Sequence, residues 1–322
     1  MSKTIVNPRW QKSDPRYLYS LVVRRYFAEM KTKVEIAEEL GVSRFKVARL
    51  IDDAIEQGYI KFVFPKQREL DEEMASNLCK KYQLKDAVVL PASETWSTQE
   101  QLNVKLGGIT ANYLSETLRE GMKFGMAWGR VLSSTVSQLV SLPPLEVVQL
   151  SGVHPGIEFS QGPVDLIHKI AAISHGKAHP MYVPMWVDDE SLAKKLSGDQ
   201  AVLDTQKFYP EMDVVITGIG AWKTGSSSLC DIFPNSWRDS LISQDITADV
   251  CVTLVNSKGE IIDSPMSRLG FGITTEQLRT TKTLIGVAGG EEKYEGIVAS
   301  LKSGLLNVLI TDFDTAIRLL NR

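Results

Sequence analysis

The chain has 322 residues, of which 43% are hydrophobic and 23% charged, the composition of a folded protein long enough for two domains. No apolar run approaches the roughly 18 residues that a membrane-spanning helix needs, so we expect no contact with a membrane. The first sixteen residues carry charges but no apolar core, and we therefore expect no secretory signal peptide.

Charge is distributed unevenly along the chain. Residues 1–65 contain twelve Lys and Arg against eight Asp and Glu, a net of +4, whereas the whole chain has −3, which leaves −7 on residues 66–322. A basic head on an acidic body suits contacts to DNA phosphates. The three cysteines, Cys79, Cys230 and Cys251, lie far apart without metal-ligand spacing, so we expect reduced thiols in a cytoplasmic protein.

The N-terminal part is predicted to be helical. Residues 1–15 are polar and contain two prolines, and residues 16–30 form an amphipathic segment that we expect to cover the helices that follow. Residues 32–60 then read TKVEIAEELGVSRFKVARLIDDAIEQGYI, which predicts a helix over 33–40, a glycine turn and a second helix that begins after an N-cap serine. The second helix buries one face at i, i+3, i+4 and i+7 spacing, formed by Val47, Leu50, Ile51 and Ala54. This is the format of a helix-turn-helix.

Basic residues follow the serine in the first two turns of the second helix, where a recognition helix meets base edges and phosphates. The same apolar spacing also occurs in helical hairpins that bind no DNA. The alanine of the first helix, the turn glycine, the serine and the basic residues together favour DNA binding. The predicted contacts to double-stranded operator DNA are Thr32, Lys33, Ser43, Arg44, Lys46 and Arg49.

A change of pattern marks the domain boundary. The run YIKFVF (59–64) predicts a wing or linker strand, Pro65 ends the DNA-binding domain at residues 1–65, and residues 66–84 predict a connecting helix. From residue 85 onward, β-branched runs alternate with helical patterns, which predicts a mostly parallel α/β sheet covered on both faces over 85–322. The predicted strands are 86–91, 122–128, 145–152, 180–187, 212–220, 249–256, 283–290 and 306–312, and the predicted helices include 98–120, 130–141, 162–175, 291–303 and 313–321.

Several predicted strands end in glycine, and in parallel sheets ligands bind at these carboxyl ends. In FGMAWGRVLSSTVSQL (124–139), a strand precedes a glycine turn, an arginine and two serines at the start of a helix, which suits a phosphate group. An ordinary strand-to-helix turn explains the same residues. GIGAWKTGSSSL (218–229) has the same character, and the lysine of VAGGEEKYEGI (287–297) either reaches an anion or is a solvated helix lysine. The predicted effector-binding residues are Trp128, Gly129, Arg130, Ser133, Ser134, Ser151, Gly152, Gly218, Gly220, Ser226, Ser227, Ser228, Asp245 and Lys293.

Other polar clusters predict no metal, cofactor or catalytic site. His175 and His179 are four residues apart and follow His168, but Gly176 interrupts their spacing, so we expect no metal binding. His154 is either a ligand contact or a loop residue. Three aspartates are candidate pocket residues without an identifiable nucleophile–base pair, namely Asp231, Asp245 and Asp249.

In their order and spacing, these motifs resemble the SorC family of sugar-binding transcriptional regulators. The resemblance covers residues 17–321 and rests on IAEELGVSRFKVARLIDDAIEQGYI, AWGRVL, QLSG, GIGAW, SSSL and IGVAGGEEKYEGIVASLKSGLLNVLITDFDTAIRLL. It implies an N-terminal helix-turn-helix and an effector domain similar in fold to sugar-phosphate isomerases and coenzyme A transferases, working as a sensor. It also implies a bacterial cytoplasmic homo-oligomer, a dimer or tetramer, on operator DNA, with a phosphorylated sugar or related metabolite as effector.

The resemblance places the family's WGR motif on residues 128–130, its GIG motif on residues 218–220 and the lysine after AGG on Lys293. Ala248 replaces the glycine that commonly precedes Asp249 in the family, a departure that leaves the identity of the effector open. The sequence thus predicts a regulator of carbohydrate-metabolism genes whose operator affinity is controlled by a phosphorylated sugar. The alternatives are a sugar-phosphate isomerase or deaminase with a DNA-binding head, and a DNA-binding scaffold without a ligand.

Overall fold

The structure is a computed structural model that describes residues 15–60, 71–158 and 162–322. The chain divides into two compact units, residues 1–66, here called the head, and residues 67–322, here called the body. The described residues do not include residues 1–14, most of the 59–64 run or Pro65, so the predictions for these segments lie outside them.

Side-chain caps begin the two central helices of the head. The Thr32 hydroxyl accepts the Glu35 N–H at 3.2 Å while the Glu35 carboxylate accepts the Thr32 N–H at 2.8 Å, a reciprocal cap. Gly41 turns the chain at φ 64°, and the Ser43 hydroxyl accepts the Lys46 N–H at 3.2 Å. The helices of the head are α1 (Pro15–Val23), which continues as a π-helical turn (Arg24–Ala28), α2 (Lys33–Leu40) and α3 (Arg44–Glu56).

Apolar residues at helical spacing form the core of the head. The predicted helix over 33–40 and the serine N-cap are confirmed, and Leu50 is half-buried rather than fully buried. The amphipathic segment over 16–30 packs on this core through Leu21, Val22 and Phe27, as predicted, and it changes from an α-helix to a π-helical turn after Val23. The fully buried members of this core are Val22, Ile36, Ala37, Leu40, Val47 and Ile51.

The body alternates strands and helices, as its sequence pattern predicts. Its strands are β1 (Asp86–Leu90), β2 (Lys123–Met126), β3 (Glu146–Gln149), β4 (Lys177–His179), β5 (Val214–Ala221), β6 (Ile246–Val250), β7 (Thr253–Asn256), β8 (Ile261–Ile262), β9 (Thr283–Val287) and β10 (Val308–Asp312). Its helices are α4 (Glu72–Tyr82), α5 (Gln99–Thr117), α6 (Arg130–Gln138), α7 (Pro163–Ser174), α8 (Glu190–Ser197), α9 (Gln200–Gln206), α10 (Ser228–Ile232), α11 (Asn235–Ser240), α12 (Met266–Leu269), α13 (Thr275–Thr280), α14 (Tyr294–Lys302) and α15 (Phe313–Asn321).

Seven of these strands form a parallel sheet in the order β1-β10-β9-β5-β2-β3-β4. From β2 the chain proceeds outward through β3 and β4, and from β5 it returns in the opposite direction through β9 and β10. The direction therefore reverses between β2 and β5, the place where open α/β sheets bind ligands.

The long strand β5 pairs with different strands in its first and second halves. Val214–Gly218 pairs in parallel with β9, whereas Ile219–Ala221 pairs antiparallel with β6, which continues into β7 and β8. The prediction of one strand over 249–256 is wrong, because Cys251 and Val252 adopt left-handed φ angles of 55° and 70° and form a hairpin turn. The antiparallel ribbon therefore begins above the carboxyl end of the parallel sheet.

The prediction of a strand over 180–187 is also wrong. The strand lies earlier, at β4, and ends before Pro180, since a proline has no N–H to donate to a neighbouring strand. Isolated bridges hold the following segment, at Pro184 and Trp186. The other predicted strands are confirmed, but β2, β3 and β9 end before Gly129, Gly152 and Gly289, which lie in the segments that follow.

Helix α4, predicted as a connector, packs within the body. Leu78 is fully buried, and the Tyr82 hydroxyl donates to the Leu319 carbonyl of α15 at 2.9 Å. Its predicted beginning at residues 66–70 lies outside the described residues. Among the described helices, none combines the length and apolarity that a membrane span requires.

Candidate functional site

A polar cavity lies at the carboxyl ends of β2, β5 and β9, at the reversal point of the sheet. It encloses about 710 Å³ between protein atoms, including the open solvent at its mouth. The β6–β7 turn, helix α5 and the segment between β5 and α10 also contribute to its wall. The lining residues are Gln99, Asn103, Ala127, Trp128, Gly129, Arg130, Val131, Thr217, Gly218, Ile219, Gly220, Gly225, Ser226, Ser228, Leu229, Asp249, Cys251, Val252, Val287, Ala288, Gly289 and Lys293.

The first wall is the turn from β2 into α6. Gly129 has a φ of 123°, which an L side chain rarely adopts, and it lets the chain enter α6 with the first-turn N–H groups at the cavity. The N-terminus of a helix attracts anions. Trp128 is buried in this wall, and its indole Nε1–H has no hydrogen-bond partner among the described residues. A bound ligand could accept that hydrogen bond.

Two cations converge on the cavity from different elements. The exposed Arg130 guanidinium donates to the Gly225 carbonyl at 2.6 Å. The Lys293 ammonium donates to the carbonyls of Ile219, at 2.9 Å, and Ser226. Burial lowers the pKa of Lys293 to about 8, against the opposing effect of Asp249 and with a smaller contribution from Arg130. An anionic ligand would favour the charged form of this lysine.

Asp249 is the buried carboxylate of the site. The Ser227 hydroxyl donates to it, and burial raises the pKa of its carboxyl group against the effects of Ser227 and Lys293. Gly220 faces it across the β5–β6 pairing, and a Cβ at Gly220 would lie well inside 3.0 Å of Asp249 Oδ1. A glycine is therefore required at this position for the carboxylate to reach the cavity.

Another part of the cavity wall lies between the carboxyl end of β9 and helix α5. A Cβ at Gly289 would lie well inside 3.0 Å of Asp312 Oδ2, so the glycine allows a close approach between the two strand ends. The Gln99 amide donates to the Gly289 carbonyl and to Asn103 Oδ1, both at 3.2 Å. Gln99 and Asn103 thus bring amide groups, which can bind hydroxyls, to the side of the cavity formed by α5.

The structure brings together eight of the fourteen residues predicted to bind an effector. They are Trp128, Gly129, Arg130, Gly218, Gly220, Ser226, Ser228 and Lys293. The wall residues that the prediction omitted include Gln99 and Asn103 of α5, Thr217 and Ile219 of β5, and Cys251 and Val252 of the hairpin turn. A single strand-to-helix motif gives no signal for Gln99 or Asn103, because their helix precedes β2.

The other six predicted residues lie outside the cavity wall. Ser227 caps α10 and reaches the site only through Asp249, and Ser134 packs where α6 approaches Gly107 of α5. Asp245 is exposed in a left-handed turn and accepts a hydrogen bond from Ser257. The remaining three are Ser133, on the second turn of α6, and Ser151 and Gly152, which follow β3.

Gly152 has a packing role that its sequence does not reveal. Its N–H donates to the Phe271 carbonyl at 2.8 Å, and a Cβ there would lie well inside 3.0 Å of the Pro184 carbonyl oxygen. The glycine-rich end of β3 therefore fits against neighbouring backbone.

The histidines have separate partners. His168 lies 3.3 Å from the Tyr182 hydroxyl, and His179 pairs with Glu146. The His154 ring stacks on Trp186 with a centroid distance of 4.6 Å, and burial lowers its pKa. No group of three or more His, Cys, Asp or Glu suited to a metal occurs among the described residues.

Helix α3 of the head presents basic side chains to solvent. Arg44, Lys46 and Arg49 are exposed, and none of them forms an ion pair with another residue of the described ranges. By contrast, Arg25 and Lys31 of the head form ion pairs with Glu29 and Glu39. Thr32 and Ser43 are occupied as helix caps, and the Lys33 ammonium lies 5.6 Å from the Tyr26 ring centroid. The three basic residues of α3 therefore lie in its first two turns, and three acidic residues follow, so that the helix as a whole is neutral.

These features define a class of protein, one with a helix-turn-helix head and an α/β body whose cavity suits a polar anion. The chain belongs to the family described as "Putative sugar-binding domain", which matches residues 67–321. It is 27% identical to the sorbitol operon regulator of Klebsiella pneumoniae over 95% of this chain and 98% of the relative. It is 26% identical to the deoxyribonucleoside regulator of Bacillus subtilis (strain 168) over 92% of this chain and 95% of the relative.

The fold agrees with these relatives. The crystal structure of the full-length sorbitol operon regulator SorC from Klebsiella pneumoniae matches with a TM-score of 0.72 at 26% identity, covering 96% of this chain and 100% of that one. A probable sor operon regulator from Shigella flexneri matches with a TM-score of 0.71 over 77% of this chain and 98% of that one. The predicted α/β class and the resemblance to SorC-type regulators are confirmed.

Proposed function

We propose that the chain is a transcription regulator whose affinity for operator DNA is controlled by a phosphorylated sugar bound in the cavity. The observation that carries this proposal is the convergence of the α6 N-terminus, Arg130 and Lys293 on one cavity, in a chain whose head exposes basic side chains on the first two turns of α3. The names of the relatives support both gene regulation and a sugar-type effector, since one is a sorbitol operon regulator and another is a deoxyribonucleoside regulator. We place the DNA-binding domain at residues 1–65, the joining helix at 66–84 and the effector domain at 85–322.

The cavity divides by chemistry into two parts. The N–H groups of α6, the Arg130 guanidinium and the Lys293 ammonium suit the phosphate, because all of them donate hydrogen bonds and carry positive charge or partial charge. Asp249, Gln99 and Asn103 suit sugar hydroxyls, which both donate and accept. A phosphorylated polyol satisfies both parts, whereas a neutral sugar leaves the cations without an anion.

Effector binding must favour one state of the body over another for it to change DNA affinity. In this structure Arg130 bonds to the Gly225 carbonyl and Lys293 bonds to the Ser226 carbonyl. A phosphate that takes both cations competes with these two neighbouring carbonyls. The segment between β5 and α10 is thus the element whose free energy the effector changes directly.

The proposed partners are operator DNA, the phosphorylated effector and further copies of the chain as a dimer or tetramer, and the proposed location is the cytoplasm. Two heads on one operator require half-sites about one helical turn apart, or a multiple of that spacing. Light scattering of the full chain with and without DNA measures the number of copies.

The test uses the full chain in two assays against the same panel of pentose, hexose and hexitol phosphates. In thermal unfolding, one phosphorylated compound should raise the melting temperature while its unphosphorylated counterpart does not. In a gel shift on DNA selected from a random library, the same compound should change the affinity. Failure to select any DNA at physiological salt would refute the regulator, and selected binding that no sugar phosphate alters would refute the effector.

A second candidate function is sugar-phosphate isomerisation. It is favoured by one observation, the neighbouring Asp249 and Lys293, whose pKa values are raised and lowered respectively by burial. Turnover of any panel compound that disappears in Asp249→Asn would support this function. Stable binding of the effector without turnover supports the sensor.

A further inference from the structure

Phe45 is an exposed aromatic residue on the helix proposed to enter DNA. Its side chain is 73% exposed, although a phenylalanine loses favourable burial there. It is the second residue of α3, directly between the basic residues Arg44 and Lys46. The core of the head is complete without it, since the buried residues of α3 are Val47, Ile51 and Ala54. An apolar ring in this position therefore has no role in folding the head.

The outward face of α3 changes from basic to acidic along the helix. Phe45 and Arg49 are four residues apart and lie on one line of the helix surface, which continues through the exposed Asp52 and Glu56. DNA phosphates attract the first half of this line and repel the second half. The helix must therefore approach DNA with its first two turns, so that Phe45 lies at the deepest part of the contact.

The positive charges around Phe45 indicate which kind of partner its ring contacts. The Arg44 guanidinium lies 5.0 Å from the Phe45 ring centroid, and neither Arg44, Lys46 nor Arg49 is neutralised by an acidic residue of the described ranges. An apolar ring surrounded by three free cations matches the major groove, where apolar methyl groups lie between rows of phosphates. The methyl group at C5 of thymine is the apolar feature of the major-groove edge, and phenylalanine is among the side chains that contact it.

We propose that Phe45 determines operator specificity by packing its ring against the C5-methyl group of a thymine in each half-site. This inference rests on the proposed DNA-binding function and adds the base feature that one residue reads. The flanking cations position the helix on the phosphates and contribute to all sequences alike, whereas the ring contributes only where a methyl group is present.

The experiment begins with DNA selected by the full chain from a random library at about 0.15 M salt. Each thymine of the selected half-site is then replaced by uracil, which removes the methyl group and leaves every hydrogen-bonding group in place. Gel-shift affinities are measured for the original chain, Phe45→Ala, Phe45→Leu and the control Met30→Ala, which shortens another exposed apolar side chain of the head.

One thymine position should lose affinity about fourfold on replacement by uracil, the factor that corresponds to one buried methyl group. The loss should disappear in Phe45→Ala, which should bind thymine and uracil operators equally, and it should persist in part in Phe45→Leu. Met30→Ala should behave as the original chain does. The melting temperature should be unchanged in Phe45→Ala, because the ring is exposed.

Two results would overturn the inference alone. One is a selected operator at which no uracil replacement weakens binding, and the other is a uracil effect of equal size in the original chain and in Phe45→Ala. If Phe45→Ala binds DNA unchanged but loses a self-association seen in the original chain, the ring contacts protein rather than DNA. If no DNA is selected at all, the proposed function fails and this inference fails with it.

Discussion

The protonation of Lys293 predicts how effector binding depends on pH. With a pKa of about 8, roughly nine-tenths of these side chains are charged at pH 7 and roughly one-tenth at pH 9. A bound phosphate holds the lysine charged, so that binding above pH 8 must also take up a proton. The affinity should therefore fall about tenfold between pH 7 and pH 9, or ~1.4 kcal/mol.

The other titrating groups allow this effect to be isolated. The second ionisation of a phosphate monoester lies near pH ~6, so the ligand keeps its charge over this range. Burial raises the pKa of Cys251 to about 12, above the range. The charged groups that act on Lys293 are Asp249, Arg130, Asp231 and Glu292, in that order of effect.

The assay is isothermal calorimetry of the full chain with the most stabilising sugar phosphate, at constant ionic strength. In Lys293→Ala the affinity should be lower at pH 7 and independent of pH up to pH 9. In Asp249→Asn the midpoint of the decline should move to lower pH, because the carboxylate that raises the lysine pKa is gone. An affinity that is constant from pH 7 to pH 9 in the original chain, or a decline that survives in Lys293→Ala, would refute this reasoning.

Three further outcomes are expected. Gly220→Ala should abolish the effector-induced rise in melting temperature, because its methyl group displaces the Asp249 carboxylate, whereas Gly198→Ala, with ordinary contacts of 3.6 Å, should leave it unchanged. Trp128→Phe keeps an aromatic side chain but removes the indole N–H, which has no partner among the described residues. Calorimetry should show an affinity for the effector that is reduced about threefold to tenfold, the value of one hydrogen bond. An unchanged affinity would show that the effector does not accept a hydrogen bond from the indole. Arg44→Ala should weaken operator binding about tenfold in a gel shift and keep the effector-induced stabilisation, so that loss of both would indicate misfolding instead.

The sequence predicted most of the elements because their local signals agree with their packing. The reciprocal cap at Thr32, the left-handed Gly41 and the alternation of β-branched runs with helices are all local features. The predictions failed where the long-range fold overrides local composition. The apolar run over 249–256 is a hairpin because Cys251 and Val252 are held in left-handed conformations that their side chains disfavour.

The candidate site was predictable only in part for a related reason. Glycines that follow a strand mark the sheet edge, and so Gly129 could be placed at the cavity from the sequence. The sequence left Lys293 open between an anion contact and a solvated helix lysine. Gln99 reaches the cavity from a helix that precedes β2, and its contribution depends on how α5 packs on the sheet. The sequence makes Asp245 a candidate pocket residue, but it lies in an exposed left-handed turn and its carboxylate accepts a hydrogen bond from Ser257.

We propose that Lys293 couples the binding of a sugar phosphate to the affinity of the chain for operator DNA. The most direct measurement is a gel shift of the full chain on its selected DNA, with and without the stabilising sugar phosphate, for the original chain and for Lys293→Ala. We expect a ligand-dependent change in DNA affinity in the original chain, and for Lys293→Ala the same DNA affinity without ligand and a clearly smaller change when the same concentration of ligand is added. Equal responses in the two proteins would contradict it.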